Sequence, residues 1–328
     1  MAHGAQTSRT CEVGDGVLNV NKPAGRTSHD VVAKVRTLLR ESKVGHAGTL
    51  DPAATGVLPL LIGRGTRIAE YLLDWDKEYR AVLRLGATTD TQDATGVTLT
   101  THSLEGLTEN RIHEAVVRFQ GRLKQIPPMY SAVKIGGVPL YKAARAGRIV
   151  EREPREVTVY EIEVLDVRVP DVSLRVRCSK GTYVRTLCVD IGEALGVGGH
   201  LRALERWRVG PLVLEQAVTL EDIGRQYVTG RLAESLLSLD EMLRTMPAVI
   251  VDQPTARRVV HGVPVPLRAV VKWESVAGKL GQGGPVRIKD RTGRLLAIGI
   301  LPGGVEAVAE SAGRAEAAVA VEKVLVEV

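Results

Sequence analysis

Apolar residues recur along this chain at two spacings, and the alternation of those spacings predicts a mixed α and β architecture. Val17, Leu18 and Val20 predict a short strand, closed by Asn21-Lys22-Pro23-Ala24-Gly25, a turn by composition. Thr27 with Asp30 three residues on is a capping-box start, and Val31, Val32, Val35, Leu38 and Leu39 give the following helix one apolar face. Val57 to Ile62 predicts a buried strand, and Gly63-Arg64-Gly65-Thr66 opens a helix through Ile68, Tyr71, Leu72 and Leu73. Tyr79, Ala81, Leu83 and Leu85 alternate with Arg80 and Arg84, the pattern of a half-buried strand. A helix follows through Ile112, Ala115, Val116 and Phe119; then a strand is expected over Met129–Lys134 before Gly136-Gly137. Strands are predicted at Val157–Val159, Ile162–Val169 and Val172–Cys178, then a helix with Val184, Leu187, Cys188, Ile191 and Leu195 on one face, closed by Gly196. The stretch 198–212 is Gly- and Arg-rich, and two helices then carry the chain to about Met246. Beyond Pro247, short Val-rich runs alternate with turn residues, which predicts a small all-β domain interrupted by an Ala/Glu-rich segment, Val305–Val319.

Composition adds a direction. The 328 residues carry a formal charge of +6, which tilts toward a polyanionic partner such as nucleic acid. Between Lys134 and Arg155 the cations Lys134, Lys142, Arg145, Arg148, Arg152 and Arg155 face few acids; such an excursion suits a grip on phosphates better than a core element. Cys11, Cys178 and Cys188 form no C-x-x-C pair, which argues for a reducing compartment and against structural zinc. No run of 18 apolar residues and no signal-peptide core is present, so a cytoplasmic protein without membrane contact is expected.

The candidate chemistry centres on Gly45-His46-Ala47-Gly48-Thr49-Leu50-Asp51-Pro52-Ala53-Ala54-Thr55-Gly56. Its glycines permit backbone angles closed to other residues, and Pro52 pushes Asp51 away from the helical region. A lone carboxylate on a shaped loop between two core elements is where functional residues tend to sit, though local chemistry alone favours a plain turn in which Asp51 serves as a cap or Asx-turn residue. Tyr79, by itself, is an ordinary core tyrosine. Arg185 sits in the first turn of its helix, where it opposes the dipole, so a nearby carboxylate is its expected partner. Asp90 and Asp93 are a weak metal pair with no His or Cys cluster beside them.

Four blocks together resemble the TruB family of pseudouridine synthases: Asn19 to Gly25, Gly45 to Leu58, Asp76-Lys77-Glu78-Tyr79 and Ser179-Lys180-Gly181-Thr182-Tyr183-Val184-Arg185. They follow the family's order and approximate spacing over residues 16–245, while Val259 to Val265 more loosely resembles a PUA-type RNA-binding domain. The resemblance implies an α+β fold: a mixed, mainly antiparallel central sheet with flanking helices, plus a small PUA-like barrel. The expected division is a polar tail 1–15, a catalytic domain 16–247 with a basic thumb-like loop 126–152, and a C-terminal domain 248–328. It implies that Asp51 is the catalytic aspartate, Tyr79 the tyrosine against the target base and Arg185 the partner of the aspartate. His46 would help hold the extruded nucleotides, Leu204 would line the base pocket, and Lys22 with Pro23 would support the Asp51 loop. Tyr183, Arg145 and Arg148 join them as expected substrate contacts. The implied reaction isomerises uridine 55 in the TΨC loop of tRNA, without cofactor, metal or obligatory protein partner, by a monomer. The carboxylate would attack C1′, add at C6 or remove the C2′ proton; the residues do not choose. Two other readings are an RNA-folding module with secondary catalysis and a guide-RNA-dependent subunit, the latter disfavoured by the long basic loop.

Overall fold

The computed structural model describes residues 13–131, 133–276, 283–301 and 318–327. Most of the polar tail, most of the Val305–Val319 segment and the Arg145 side chain lie outside the described residues. The first strands are β1 (Gly16–Lys22), β2 (Val44–His46), β3 (Thr55–Ile62) and β4 (Lys77–Leu85), with helices α1 (Ser28–Leu39) and α2 (Ala69–Leu73) among them. Thr27 caps α1 through the reciprocal pair with Asp30 that the spacing predicts. Next come the hairpin β5 (Ala87–Thr89) and β6 (Thr98–Thr101), α3 (Glu109–Val117) and β7 (Gly121–Gln125). Among its described residues the basic loop holds β8 (Lys134–Ile135), β9 (Val138–Pro139) and α4 (Leu140–Arg145). After it lie β10 (Arg155–Arg168), β11 (Asp171–Cys178), α5 (Val184–Ala194), β12 (Gly199–Val209), β13 (Leu212–Val213), α6 (Leu220–Val228), β14 (Leu236–Leu237) and α7 (Leu239–Met242). The C-terminal part comprises β15 (Ala248–Val251), α8 (Gln253–Val259), β16 (Val265–Pro266), β17 (Val270–Glu274), β18 (Gly284–Asp290), β19 (Leu295–Leu301) and β20 (Ala318–Val324).

Eight strands of the main sheet run in the order β14-β1-β3-β12-β4-β11-β10-β7, with β2 and β13 attached to β3 and β12. Among these pairs only β3 and β12 are parallel, with Glu205 opposite Thr55 and Arg206 opposite Gly56. Alternate residues of β1 and β3 enter different core clusters: Val17, Val57 and Leu61 one, Leu18, Leu58, Leu60 and Ile62 another under α1 and α6. These strands are therefore buried on both faces. To the other side of β12, α3 and α5 cover Tyr79, Ala81, Leu83 and Leu85 of β4, while Arg80 and Arg84 stay on the open face. Between these two helical layers, at the β3–β12 junction, lies the Asp51 loop.

Two expectations are corrected, and one stretch left without an element is filled. Met129–Lys134 is not a strand; Lys134–Ile135 merely pairs with Val138–Pro139 around Gly136-Gly137, because no neighbouring strand accepts the rest of the run. The stretch from 198 contains the eleven-residue β12, central to the sheet. The C-terminal unit is a curled six-stranded sheet, β16-β20-β19-β18-β15-β17, but it also carries α8, capped by Asp252.

Candidate active site

The loop between β2 and β3 is held almost atom by atom. Ser28, the first residue of α1, accepts the Leu50 N–H at 2.9 Å and donates back to the Leu50 carbonyl at 3.1 Å. Pro52 O accepts the Gly25 N–H at 2.9 Å and Lys22 Nζ at 3.1 Å. Lys22 is fully buried and also donates to the carbonyls of Pro23 and Arg26. Arg206, from β12, donates to the carbonyls of Gly48, Thr49 and Val57. Gly56 has φ +105°, and a Cβ there would lie 2.2 Å from Arg206 O, so this position requires glycine. The result is a non-helical loop many of whose carbonyls are met from α1, β1 and β12, and whose one acid is partly open.

Asp51 meets Arg185 of α5. Arg185 Nε lies 2.9 Å from Asp51 Oδ2, off the axis of its N–H, so the pair is an ion contact there; the directed bond runs from Nη2 to Oδ1 at 3.2 Å. Arg185 is buried, whereas the Asp51 side chain keeps 36% of its surface open. The guanidinium also donates to Thr91 O at 3.1 Å and Tyr130 O at 2.9 Å, and sits 3.8 Å from Asp93. Arg185 therefore ties together the Asp51 loop, the β5–β6 loop and the root of the basic loop. Desolvation pushes the Asp51 carboxyl above its ordinary value; Arg185 pulls against that, Asp93 adds to it, and Lys22 opposes it weakly.

Tyr79 is buried in the cluster that includes Leu50 and Ala54, either side of Asp51. Burial drives its phenol up to about 12, with the Arg206 charge opposing. His46 ends β2 with its Nδ1 buried and unbonded, and desolvation, then Arg206, lower its pKa, which favours the neutral ring. Leu204 packs at the edge of the Tyr79 cluster, opposite Ala81. Tyr183 is the N-cap of α5, its backbone held from both sides by Gln125. Lys22 stands under the loop, its Nζ donating to Pro52 O. Arg148 is exposed on the basic loop, and none of its described bonds reaches Asp51. The structure thus gathers Asp51, Arg185, Tyr79, His46, Leu204 and Lys22 at one place.

Four contributors were not legible from pattern. Asp93 looked like half of a weak metal pair; instead its Oδ1 accepts the Thr91 hydroxyl at 2.7 Å and the Thr95 N–H at 2.9 Å while Oδ2 faces Arg185. Asp90 caps the same loop by accepting the Val97 N–H at 2.8 Å. Arg206 and Gln125 gave no signal, since a strand arginine and a strand glutamine have many ordinary uses. A carboxylate held against a buried guanidinium, open on one side and beside a buried phenol, can act as nucleophile or base on a group that enters the cleft.

A family model described as the N-terminal domain of TruB family pseudouridylate synthase matches residues 36–184, and one described as the C-terminal domain of tRNA pseudouridylate synthase B matches residues 185–250. The chain belongs to the TruB family of pseudouridine synthases. A protein named tRNA pseudouridine synthase B from Pseudomonas paraeruginosa is 43% identical over 298 residues, covering 90% of this chain and 94% of the relative. One of the same name from Dechloromonas aromatica is 46% identical over 294 residues, with the same coverage. Among solved structures, a chain of a Cbf5–Nop10–Gar1 complex superposes with a TM-score of 0.75 at 31% identity, covering 95% of this synthase and 85% of that chain. A chain of an H/ACA ribonucleoprotein bound to a substrate RNA containing 2′-deoxyuridine gives 0.74 at 29% identity, again with 95% and 85% covered. No helix among the described residues is long and apolar enough to cross a membrane.

Proposed function

We propose that this synthase converts uridine 55 in the TΨC loop of tRNA to pseudouridine, acting as a monomer in the cytoplasm without a guide RNA. The observation that carries the site assignment is the Asp51–Arg185 contact: a partly open carboxylate 2.9 Å from a buried guanidinium, on a loop tied by hydrogen bonds to α1, β1 and β12. The reaction breaks the C1′–N1 bond, turns the uracil and joins C1′ to C5; N1 gains a proton and C5 loses one. It is redox-neutral. Whether the carboxylate attacks C1′, adds at C6 or takes the C2′ proton, it must be ionised, and Arg185 is the main influence favouring that form against desolvation.

A stacked uridine must leave its loop to reach Asp51, at a cost of a few kcal/mol. Stacking on Tyr79, worth about 1–3 kcal/mol per base, offsets this, with Leu204 closing the pocket and neutral His46 packing on the displaced nucleotides. Tyr183, Arg145 and Arg148 contact the RNA backbone, and Lys22 steadies the loop. The chain divides at Pro247, and the curled C-terminal sheet serves as a PUA-like RNA-binding unit. That the relatives of 43–46% identity carry the name tRNA pseudouridine synthase B supports the substrate. The test is pseudouridine mapping on an unmodified tRNA transcript incubated with the purified protein alone. Modification confined to uridine 55 supports the reading; no modification without added guide RNA or protein rejects it.

A further inference from the structure

Arg206 is the largest fully buried side chain among the described residues, 1% exposed; it donates to three carbonyl oxygens and also bonds the Tyr79 hydroxyl, with no carboxylate among these partners. Burying a guanidinium is costly unless its N–H groups are met. Here Nε donates to Val57 O at 2.7 Å, Nη1 to Thr49 O at 3.2 Å and Nη2 to Gly48 O at 3.1 Å. Gly48 and Thr49 stand just before Asp51, and Val57 just after the loop closes. One planar fork therefore bridges both exits of the loop. The backbone of the same residue presses on Gly56 so closely that no side chain fits there. In the sheet, Arg206 is opposite Gly56 on one side and Tyr79 on the other. A hydrocarbon side chain would fill this interior at lower cost in desolvation, so the charge has a use beyond filling space.

We infer that Arg206 is a positioning residue for the isomerisation: its fork locks the loop carrying Asp51 to the strand carrying Tyr79, so that carboxylate and phenol keep one spacing while the uridine enters, turns and leaves. The inference rests on the reaction proposed above, but its structural half can be read without turnover. Lysine is the informative substitution, since it keeps the charge as a single point and cannot span three carbonyls. Arg206→Met removes the charge as well.

Amide hydrogen exchange, RNA affinity and single-turnover pseudouridine formation on a TΨC stem-loop are measured for the wild type and both variants. For Arg206→Lys, exchange is expected to quicken at least tenfold at the amides of residues 47–57 and to stay unchanged in β1, β10 and β11. The single-turnover rate is expected to fall about 100-fold, the scale of a misplacement near 1 Å, with the RNA dissociation constant within twofold. Arg206→Met should lose more rate; if it does not fold, Arg206→Lys decides alone. Unchanged loop exchange, or a rate within twofold of wild type, overturns the inference. So does exchange that quickens throughout the core with rate and affinity falling together, since that describes general loosening. A wild type that makes no pseudouridine would count against the proposed reaction, while the exchange result would still decide the clamp.

Discussion

Asp51 holds its proton under opposed influences. Removal from water raises its pKa above the ordinary 3.8, and Arg185 is the main influence lowering it. In the proposed reaction the anion is the reacting form, so activity should be lost as pH falls through the folded-state pKa, a limb expected above 3.8. Arg185→Gln removes the principal lowering charge and should shift the acid limb of the single-turnover rate to higher pH, in addition to reducing the plateau. A limb that stays in place would separate Arg185 from the ionisation of Asp51. Asp51→Asn should abolish tritium release from a labelled transcript, whereas retained turnover would remove Asp51 from the reaction. Tyr79→Phe keeps the ring but removes a hydroxyl whose pKa lies near 12, so RNA affinity should hold while pseudouridine formation slows. Full turnover in Tyr79→Phe would leave only the stacking role. At this scale, the Asp51 loop was visible in sequence because glycine and proline mark backbone that no regular element accepts. Asp93 and Arg206 were not, because their meaning comes from partners far away along the chain: Asp93 meets Arg185, 92 positions on, only when folding brings α5 to the β5–β6 loop.

Among the elements, β12 shows why a central strand can escape notice. Its register shifts between Leu201 and Ala203 and again between Arg206 and Arg208, so Arg202 and Trp207 are bulged and the period of two fails twice in eleven residues. Its outward positions carry Glu205, Trp207 and Arg208, the last paired with Asp76 and Glu78, and a strand with a charged outer face beside Gly198-Gly199 resembles a loop. The helices α1 and α5, with unbroken 3.6-residue faces, were legible for the opposite reason. The basic loop divides its arginines in a way composition does not disclose. Arg152 donates to Pro127 O at 3.0 Å and helps anchor the loop, while Arg148, Lys134 and Lys142 stand exposed. Arg148→Gln should therefore weaken RNA binding and lower the salt slope of log affinity by about one, with melting unchanged. Arg152→Gln should act on thermal stability first. Equal salt slopes for wild type and Arg148→Gln in filter binding would mean that Arg148 is merely solvated.

At the scale of the whole molecule, the C-terminal sheet and the catalytic part share one interior. Ile298 of β19 and Leu325 lie in the same buried cluster as Val17, Leu61, Met242, Leu243 and Met246. Beside it, Asp240 of α7 accepts Arg287 and Lys289 of β18, both at 2.8 Å, and Arg287 Nε donates to Met246 O at 3.0 Å. Arg287 and Lys289 keep 8% and 13% of their side-chain surface, so the carboxylate is what makes their burial tolerable. Two units joined through common hydrocarbon and a buried ion cluster should unfold together, because separating them exposes apolar surface of both at once. Calorimetry on the intact chain should accordingly give one transition. Asp240→Asn keeps the shape but leaves two buried cations facing an amide, a loss of about 1–3 kcal/mol by the usual cost of an unmet buried group. Asp240 is a third exposed, which places the expected value at the lower end. Ile298→Ala attacks the shared hydrocarbon instead, at about 2–5 kcal/mol for a fully buried site. Both variants should lower the midpoint while preserving a single transition. If Asp240→Asn instead splits the transition in two, with the catalytic part melting where the wild type does, the C-terminal sheet is an independently stable module and the shared cluster contributes little to holding the Asp51 loop in place.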